Sequence, residues 1–296
     1  MRLFARIVER GSFSTAAADL GLPRSTASEA VQQLERRLGV RLLQRTTRKV
    51  SPTLEGEAYY RRCVTIIADV EDAEGAFTGA KPRGLLRIDV YGTLARRFLL
   101  PGLPRFLAEY PDLQLHIGEG DRLVDLVQEG VDCVLRAGEP RDSAMIARRV
   151  AVLEEVTCAS PDYLSRAGTP RTLDDLDGHR MIGFISSATK KVIPLEFTVS
   201  GALRHVTLPM TVSVNAGETG RELALLGFGL LQVPRYHVEP YLQAGTLVEV
   251  LPDCPPSPTP ISLLYPHNRQ LSPRVRVFID WVAKEFAARL PSAAAR

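Results

Sequence analysis

The apolar positions near the start of the chain recur at the spacing of short amphipathic helices. One stripe lies within residues 3–8 and is followed by Gly11, which predicts a first helix that ends there. A run of alanines follows Ser14, a residue type that caps helices, and ends at Gly21. The two patterns predict a pair of short helices that pack together at this end of the chain.

A third helix is predicted after Pro23, because one apolar stripe recurs at steps of four, three and four, at Ala27, Val31, Leu34 and Leu38. Pro23 favours a start beside it, whereas Thr26 and Glu29 have the spacing of a capping box, so Arg24 lies either on the helix or in the turn. The face opposite the stripe is polar. Such a pair is the plan of a helix-turn-helix, whose second helix enters the DNA major groove. The alternative is an ordinary pair of surface helices.

Charge favours the DNA-binding alternative. After Gly39 two short β-type runs flank residues 45–49, which are cationic and rich in hydroxyls and therefore suit phosphate oxygens at the tip of a wing. Residues 1–62 hold twelve Lys/Arg against six Asp/Glu, a charge of +6, while the whole chain carries +3, which leaves −3 for the remainder. The candidate DNA-binding residues are Ser14, Thr15, Arg24, Ser25, Thr26, Ser28, Glu29, Gln32, Arg36, Arg45, Thr46, Thr47, Arg48 and Lys49.

A long helix is predicted next, capped by Thr53 and with acidic residues in its first turn. Its apolar positions alternate at steps of four and three, at Tyr59, Cys63, Ile66, Val70, Ala73 and Phe77. The N-terminal domain is too small to cover this stripe, so a second copy of the helix is favoured over the chain's own core. The resulting homodimer would offer two recognition helices to a quasi-palindromic operator in double-stranded DNA. Residues 78–84 are expected to act as a hinge.

From Leu85 onward strand-like runs alternate with helical patterns, which predicts a parallel sheet with helices on both faces. Strands are expected at 85–92, 113–118 and 131–138, with helices at 96–110 and 121–128. A second lobe is expected from about residue 160, with a helix at 216–226 and short strands at 180–186, 196–200, 210–214, 227–233 and 247–251. The run 261–266 leads back to a last helix that Ser272 and Pro273 begin. The tail 291–296 is expected to be disordered.

The expected fold class is therefore α/β: an N-terminal winged helix-turn-helix, joined by a long linker helix to a two-lobed α/β domain similar to periplasmic binding proteins. The expected domains are 1–54 for the winged helix-turn-helix, 55–84 for the linker helix and hinge, and 85–290 for the two-lobed domain. The first lobe is expected at about 85–159 and 266–290, and the second at about 160–265. The chain is expected to cross between them near 158–164 and 258–265.

Three sequence stretches carry a family resemblance: "F-x-R-I-V-E-R-G-S-F-S-T-A-A", "S-x-x-x-x-x-L-E-R-R-L-G-V-R-L-L-Q-R" and "P-T-L-E-G". They resemble the N-terminal domain of LysR-type transcriptional regulators, and the rest of the chain to about Ala288 resembles the effector domain of that family. Leu43 stands where many members have phenylalanine, Glu29 stands where several have arginine, and the first helix is expected to lack a turn. The resemblance implies a homotetramer, a small-molecule effector held between the lobes, and RNA polymerase as a further partner.

Ligands of open α/β sheets bind beyond the carboxyl ends of the strands, where helix N-termini offer N–H groups to anions. Thr93 is placed to donate to a carboxylate and Arg136 to pair with one; the alternatives are a helix cap for Thr93 and an ion pair for Arg136. Glu218 argues against a purely anion-selective pocket. With the walls that the resemblance implies, the candidate effector-binding residues are Thr93, Leu94, Arg136, Ala137, Gly138, Ile185, Ser186, Ala216, Gly217, Glu218, Gln232, Val233 and Pro234.

Composition and the lack of known motifs argue against membrane proteins, metal-binding proteins and enzymes. The apolar fraction of 45% and the charged fraction of 24% are typical of a soluble globular protein, and neither a membrane span nor a secretory segment is apparent. The four cysteines follow no metal spacing, so reduced thiols, a cytoplasmic location and no bound metal or cofactor are expected. Motifs for dinucleotide loops, P-loops and nucleophile elbows are missing, so no catalytic residues are expected. The alternatives are a small-molecule-binding protein with a dimerising N-terminus, and an unrecognised enzyme.

Overall fold

The computed structural model describes residues 1–45, 50–78, 81–120, 126–139, 145–187, 189–266 and 271–290. Its α-helices are α1 (Arg2–Arg10), α2 (Phe13–Asp19), α3 (Arg24–Leu38), α4 (Leu54–Thr78), α5 (Gly92–Leu94), α6 (Leu103–Glu109), α7 (Leu126–Glu129), α8 (Pro161–Ala167), α9 (Gly217–Leu225), α10 (Arg235–Gln243) and α11 (Pro273–Arg289). A π-helical segment (Ala95–Leu99) and two 3-10 turns (Leu100–Gly102, Leu173–Leu176) complete the helical elements of these residues.

The strands of the described residues are β1 (Leu43–Arg45), β2 (Val50–Pro52), β3 (Gly84–Val90), β4 (Leu113–Glu119), β5 (Cys133–Ala137), β6 (Met145–Leu153), β7 (Glu155–Ala159), β8 (Gly183–Ile185), β9 (Val192–Ile193), β10 (Leu195–Val199), β11 (Ala202–Val206), β12 (Ser213–Val214), β13 (Leu231–Pro234), β14 (Val248–Glu249) and β15 (Thr259–Pro266). The expected helix at 121–128 is described only from residue 126, and the tail 291–296 lies outside the described residues.

The first three helices pack around one apolar core, as the sequence pattern predicts. Its buried centre is formed by Phe4, Ile7, Phe13, Ala16, Ala17, Ala27, Val31, Leu42, Leu43 and Cys63. The cap of α2 differs from the prediction: Ser12, not Ser14, accepts the backbone N–H of Thr15 (3.3 Å), so Ser14 is free to face outward. Pro23 is the N-cap of α3, which places Arg24 on its first turn. Leu38 is 40% exposed, so the buried stripe of α3 ends before it.

A two-stranded antiparallel wing follows α3. The last pair of this hairpin joins Arg45 to Val50, and residues 46–49 at its tip lie outside the described residues. The carboxylate of Glu35 accepts the backbone N–H groups of Leu42 (2.8 Å) and Leu43 (3.1 Å). This side chain therefore ties the second half of α3 to the base of the wing.

The linker helix α4 begins where the sequence predicts, because the Thr53 hydroxyl accepts the N–H of Gly56 (2.9 Å). A β-carbon on Gly56 would lie 1.9 Å from the Leu42 carbonyl oxygen, so only glycine allows this close approach to the wing. The predicted apolar stripe divides into two parts. Tyr59 and Cys63 pack into the chain's own N-terminal core, whereas Ile66 and Val70 are 41% and 46% exposed; the side chains of Ala73 and Phe77 are not among those described.

The first lobe contains a five-stranded sheet in the order β4-β3-β5-β15-β6. The expected parallel pairing is confirmed for β3, β4 and β5, but β15 is antiparallel to both β5 and β6, so the sheet is mixed. The reason is that β15 re-enters from the second lobe and not through a helical crossover. The last helix α11 covers this sheet with a buried stripe that the sequence predicts, at Val275, Phe278, Ile279, Val282 and Phe286.

The second lobe contains the sheets β13-β7-β14 and β12-β8-β9 and the hairpin β10-β11. β7 belongs to this lobe, although the sequence analysis put residues up to 159 in the first, and β15 belongs to the first lobe, although residues up to 265 were expected in the second. The crossings therefore lie at Glu154, between β6 and β7, and at 256–258, where pairing passes from β10 to β6. Pairing partners distant in sequence decide these boundaries.

The helix expected at 96–110 is irregular because it contains two prolines. The helix expected at 96–110 begins at Gly92 and passes through the π-helical segment and a 3-10 turn before α6. Pro101 and Pro104 lie in this stretch. Because proline lacks an N–H group and its ring clashes with the preceding turn, it disrupts a regular α-helical ladder.

Candidate DNA-binding face and effector cleft

The polar face of α3 is open to solvent in this chain. Among the candidate DNA-binding residues of the described part, those exposed are Ser14, Thr15, Arg24, Ser25, Thr26, Glu29, Gln32 and Arg36, while Ser28 is half-buried. The opposite side of the helix is closed by Ala27 and Val31, which are fully buried. Thr46, Thr47, Arg48 and Lys49 lie outside the described residues, and of Arg45 only the backbone is described. Among the described residues, the side of α3 that the sequence predicts as the reading face is therefore largely exposed.

Ion pairs hold the helices under this face. Arg10 donates to Asp19 (2.7 Å), which links the end of α1 to the end of α2. Two candidate DNA-binding side chains already form hydrogen bonds within the chain. The Thr15 hydroxyl lies 3.2 Å from Ser12 Oγ, and the Arg36 guanidinium donates to the Gln32 carbonyl at 3.4 Å. Glu35, also on α3, is bound to the backbone of the wing base.

A cleft of about 610 Å³ lies between the two lobes. Of the candidate effector residues, the structure brings six to its wall: Thr93, Ile185, Ser186, Ala216, Gly217 and Glu218. Thr93 follows the carboxyl end of β3, Ile185 is the last residue of β8, and the other four follow β8 or β12, so all six lie at or just beyond strand ends.

The other candidate effector residues are placed elsewhere. Leu94 is 1% exposed in the core of the first lobe, and Arg136 forms an ion pair with Asp89 on the neighbouring strand, within the same lobe. Ala137 pairs with β15, and Gly138 donates to the Pro260 carbonyl (2.9 Å). These four are not in the cleft wall: Leu94 packs in the core, and β15 lies beside the end of β5 that carries the other three.

The stretch 232–234 was expected in the cleft wall and is structural instead. The Gln232 amide donates to the Thr157 hydroxyl (2.9 Å) and the Glu196 carbonyl (2.6 Å), and its oxygen accepts the Glu196 N–H (2.8 Å). Val233 is 3% exposed in the second lobe's core, and Pro234 is the N-cap of α10. Gln232 is thus fully occupied in joining β7, β10 and β13.

Gly92 and Asn215, which directly precede candidate residues, also line the cleft. Sequence reasoning missed the other wall residues, namely Tyr91, Arg96, Glu119, Gly120, Ser187, Lys190, Ser213 and Val214. Tyr91 and Glu119 extend the strand ends β3 and β4, so the strand-end rule applied to each strand would have found them. Lys190 has a left-handed backbone (φ 57°) in a turn after β8, and no sequence signal places it beside the other lobe.

Three hydroxyl and aromatic contacts join the two lobes next to the cleft. Tyr91 Oη accepts the N–H of Gly217 (2.7 Å) at the start of α9. The Thr93 and Tyr236 hydroxyls lie 2.8 Å apart, and Tyr236 packs edge-on against Phe98 with ring centroids at 5.2 Å. Thr93 therefore bonds across the lobes and is not a helix cap.

His237 lies directly behind Gly217 and is 6% exposed. Both of its ring nitrogens lack a hydrogen-bond partner among the described residues. Burial, with a smaller effect of the Arg221 charge, lowers the pKa of His237 to about 4, so its imidazole is neutral near pH 7. A β-carbon on Gly217 would lie 2.6 Å from this ring, which shows how closely α9 approaches α10 here.

One arginine spans the cleft. The Arg96 guanidinium donates to Glu119 of its own lobe (3.0 Å) and to Glu218 of the second lobe (2.6 Å). Its pKa is raised, chiefly by the hydrogen bond to Glu218. All three side chains are between 43% and 47% exposed, so water screens this bridge.

The lobe crossings contain one perturbed carboxyl group. Glu155, at the start of β7, accepts the hydroxyl of Thr259 at the start of β15 (2.7 Å). Burial raises the pKa of the Glu155 carboxyl to about 8, and the bond from Thr259 only partly opposes this effect. Both chain crossings thus meet at a group that holds a proton at neutral pH.

None of the four cysteines is among the described residues that line the cleft. Cys63, Cys133, Cys158 and Cys254 are unpaired, and the first three are buried. Burial raises the pKa of the Cys158 thiol to about 12, so it is inert as a nucleophile at neutral pH. No helix in the described part of the chain is long and apolar enough to span a membrane.

A helix-turn-helix with an open polar face, joined by a long helix to two lobes around a cleft, defines the class of ligand-controlled DNA-binding regulators. Comparison with known proteins identifies the family. Residues 1–57 match the model of the bacterial regulatory helix-turn-helix protein, lysR family, and residues 79–287 match the LysR substrate binding domain. The chain belongs to the LysR-type transcriptional regulators.

Full-length relatives support this assignment. The HTH-type transcriptional regulator YhjC of Escherichia coli is 38% identical over 285 residues, which cover 96% of this chain and 95% of YhjC. An HTH-type transcriptional repressor of Pseudomonas aeruginosa is 36% identical over 290 residues, 97% of this chain and 91% of the repressor. The solved structure of CrgA, a LysR-type transcriptional regulator from Neisseria meningitidis, has a TM-score of 0.60 and 32% identity, and the match covers 96% of each chain.

The expected fold class and family are thus confirmed. The protein is a transcriptional regulator with an effector-binding domain. LysR-type regulators bind DNA and small-molecule effectors and form oligomers, and as a family they are regulators, not enzymes.

Proposed function

We propose that this regulator reads a specific, quasi-palindromic operator with the exposed face of α3, while the wing contacts the phosphate backbone. The observation that carries the proposal is the two-sidedness of α3: Ala27 and Val31 are fully buried, while Arg24, Ser25 and Gln32 are exposed. Short polar side chains near the start of a helix reach base edges in the major groove. The +6 charge of residues 1–62 supplies the attraction to phosphates.

The dimer that a quasi-palindrome requires is proposed to form through α4. Ile66 and Val70 leave apolar surface exposed on a helix that begins at the wing, and a second α4 packed along this side would bury both residues. Two such dimers are proposed to form a homotetramer. Regulation of transcription by such an assembly implies RNA polymerase as a partner and the cytoplasm as its location.

The effector is proposed to be a small molecule bound in the cleft. A volume of about 610 Å³ suits such a ligand, and the wall combines residues of both lobes, so a bound molecule contacts both. Closure or rotation of the lobes would then alter the spacing of the paired DNA-binding domains through α4. A ligand shifts the equilibrium between two arrangements of the lobes only if it binds one arrangement more tightly than the other.

Binding to operator and random DNA across a salt series tests the function. We expect the wild-type protein to bind DNA from upstream of its own gene about 10³-fold or more tightly than random DNA. Affinity for both should fall steeply with salt as counterions are released. Equal affinity for the two DNAs at every salt concentration would exclude an operator-specific regulator.

A further inference from the structure

The distribution of charge in the cleft wall is uneven. Its acidic residues are Glu119 and Glu218, and both are bound to Arg96. The other basic wall residue, Lys190, forms no ion pair within the described part of the chain. The remaining polar wall residues are hydroxyl or amide groups that can donate, such as Thr93, Ser186 and Asn215. The wall is therefore rich in donors, and its negative charge is concentrated around one guanidinium.

The two carboxylates that bind Arg96 differ in one respect. Glu119 is the last residue of β4, in the same lobe as Arg96, while Glu218 lies in the first turn of α9 in the second lobe. Their exposures are 47% and 43%, so solvent screens them almost equally. Of these two contacts of Arg96, only the one with Glu218 joins the two lobes. It lies beside the bond from the Gly217 N–H to Tyr91 Oη, which also crosses the cleft.

A third carboxylate beside Arg96 would be repelled by the two already present, since like charges at short range oppose each other. It can bind there only by replacing one of them. Replacement is feasible because the existing pairs are exposed and thus individually weak. The carboxylate on the far lobe is the one that lobe movement can withdraw, whereas Glu119 moves together with Arg96.

We propose that Arg96 and Glu218 form an exchangeable latch across the cleft, and that the effector is a small organic anion whose acidic group displaces Glu218 from Arg96. This inference rests on the proposed function of the cleft as the effector site. The anion replaces a direct link between the lobes by a link through itself, while Lys190 and the wall hydroxyls bind its other polar groups. The latch thereby selects the charge of the ligand and couples its binding to the position of the lobes.

The chain offers a matched pair of variants for the latch. Glu218→Gln and Glu119→Gln each remove one carboxylate from Arg96, but only the first cuts a link between lobes. We expect hydrogen–deuterium exchange in the peptide that contains Gly217 to become about two- to fivefold faster in Glu218→Gln and to stay unchanged in Glu119→Gln. Equal exchange in both variants and the wild type would overturn the latch.

Ligand charge is tested with a panel of short aliphatic and aromatic carboxylates, each paired with its primary amide, by thermal shift of the full-length protein. We expect carboxylates to stabilise the wild type while their amides do not. The stabilising carboxylates should bind Glu218→Gln about two- to fivefold more tightly, because their competitor is gone, and Arg96→Gln should no longer respond. Stabilisation by amides to the same degree, or by no carboxylate at all, would contradict an anionic effector.

Operator binding, measured with the same preparations, separates this inference from the function on which it rests. Failure of the wild type to prefer its operator would exclude the proposed function, yet faster exchange in Glu218→Gln would still support the latch. Conversely, specific operator binding with identical exchange in all variants would retain the regulator and remove the latch.

Discussion

Glu35 shows how one side chain positions two DNA-binding elements relative to each other. It lies on α3, outside the predicted reading face, and its carboxylate accepts two backbone N–H groups at the base of the wing. Hydrogen bonds to a charged group each contribute about 1.5–3 kcal/mol. The angle between α3 and the wing is therefore held by a residue that need not touch DNA.

Arg24 and Ser28 are the side chains whose loss should most directly reduce sequence reading. We expect Arg24→Ala or Ser28→Ala to weaken operator binding by about 1–3 kcal/mol and to leave binding to random DNA much less affected. The measurement is fluorescence anisotropy with both DNAs at one salt concentration. Arg37→Ala is the matched control, because Arg37 is an exposed arginine of the same helix outside the predicted face. A loss as large in the control as in Arg24→Ala would reject the assignment of this face.

Glu155 gives a prediction about pH. The pKa of its carboxyl is about 8 in the folded chain against an ordinary value of 4.5, so between these values the folded state holds a proton that the unfolded state releases. Stability from this group is therefore present below about pH 4.5 and is lost as the pH rises to about 8. Glu155→Gln removes the titration and can still accept from Thr259.

The measurement is the melting temperature between pH 5 and 8. Wild-type protein should lose more stability across this range than Glu155→Gln, and the exposed neighbour substitution Glu154→Gln should follow the wild type in its pH dependence. Parallel profiles for the wild type and Glu155→Gln would show that the carboxyl is charged in the folded protein.

At the scale of elements, the amphipathic stripes of α1, α3, α4 and α11 made these helices predictable, because each buries all or part of one face in a core. The wing followed from two short runs around a polar tip. Strand β6 was missed because its central residues are exposed at the sheet edge and show no alternation. The lobe to which β7 and β15 belong depends on partners about a hundred residues away, and local patterns do not contain that information.

The exposed apolar side of the linker helix α4 is predicted to hold the dimer together. Ile66→Glu places a charge on the exposed apolar side of α4 and should weaken dimerisation by about two orders of magnitude, since a partner helix would have to bury that charge. Glu57→Ala is the control, because Glu57 lies nine residues earlier, about two and a half turns away, and so on the opposite side. Sedimentation velocity measures both. A dimer of unchanged affinity in Ile66→Glu would show that another surface joins the subunits.

At the scale of the whole molecule, the cleft joins residues that the chain separates widely. Sequence reasoning named Thr93 and Gly217 because strand ends and helix starts mark such positions, whereas the family resemblance supplied Ser186. Arg96 and Tyr236 were not predictable as bridging residues, since each acquires its role only when two lobes that fold from separate segments meet. Arg136 was a candidate effector-binding residue, but an arginine at a strand end can equally form an ion pair within its own sheet, as Arg136 does with Asp89.

The central claim is that two copies of this chain present the exposed face of α3 to one operator. Footprinting of the DNA upstream of the gene tests it most directly. The account predicts two protected half-sites, about one helical turn or a multiple of it apart, and their loss in Arg24→Ala. Protection without paired half-sites, or a footprint that Arg24→Ala leaves intact, would contradict it.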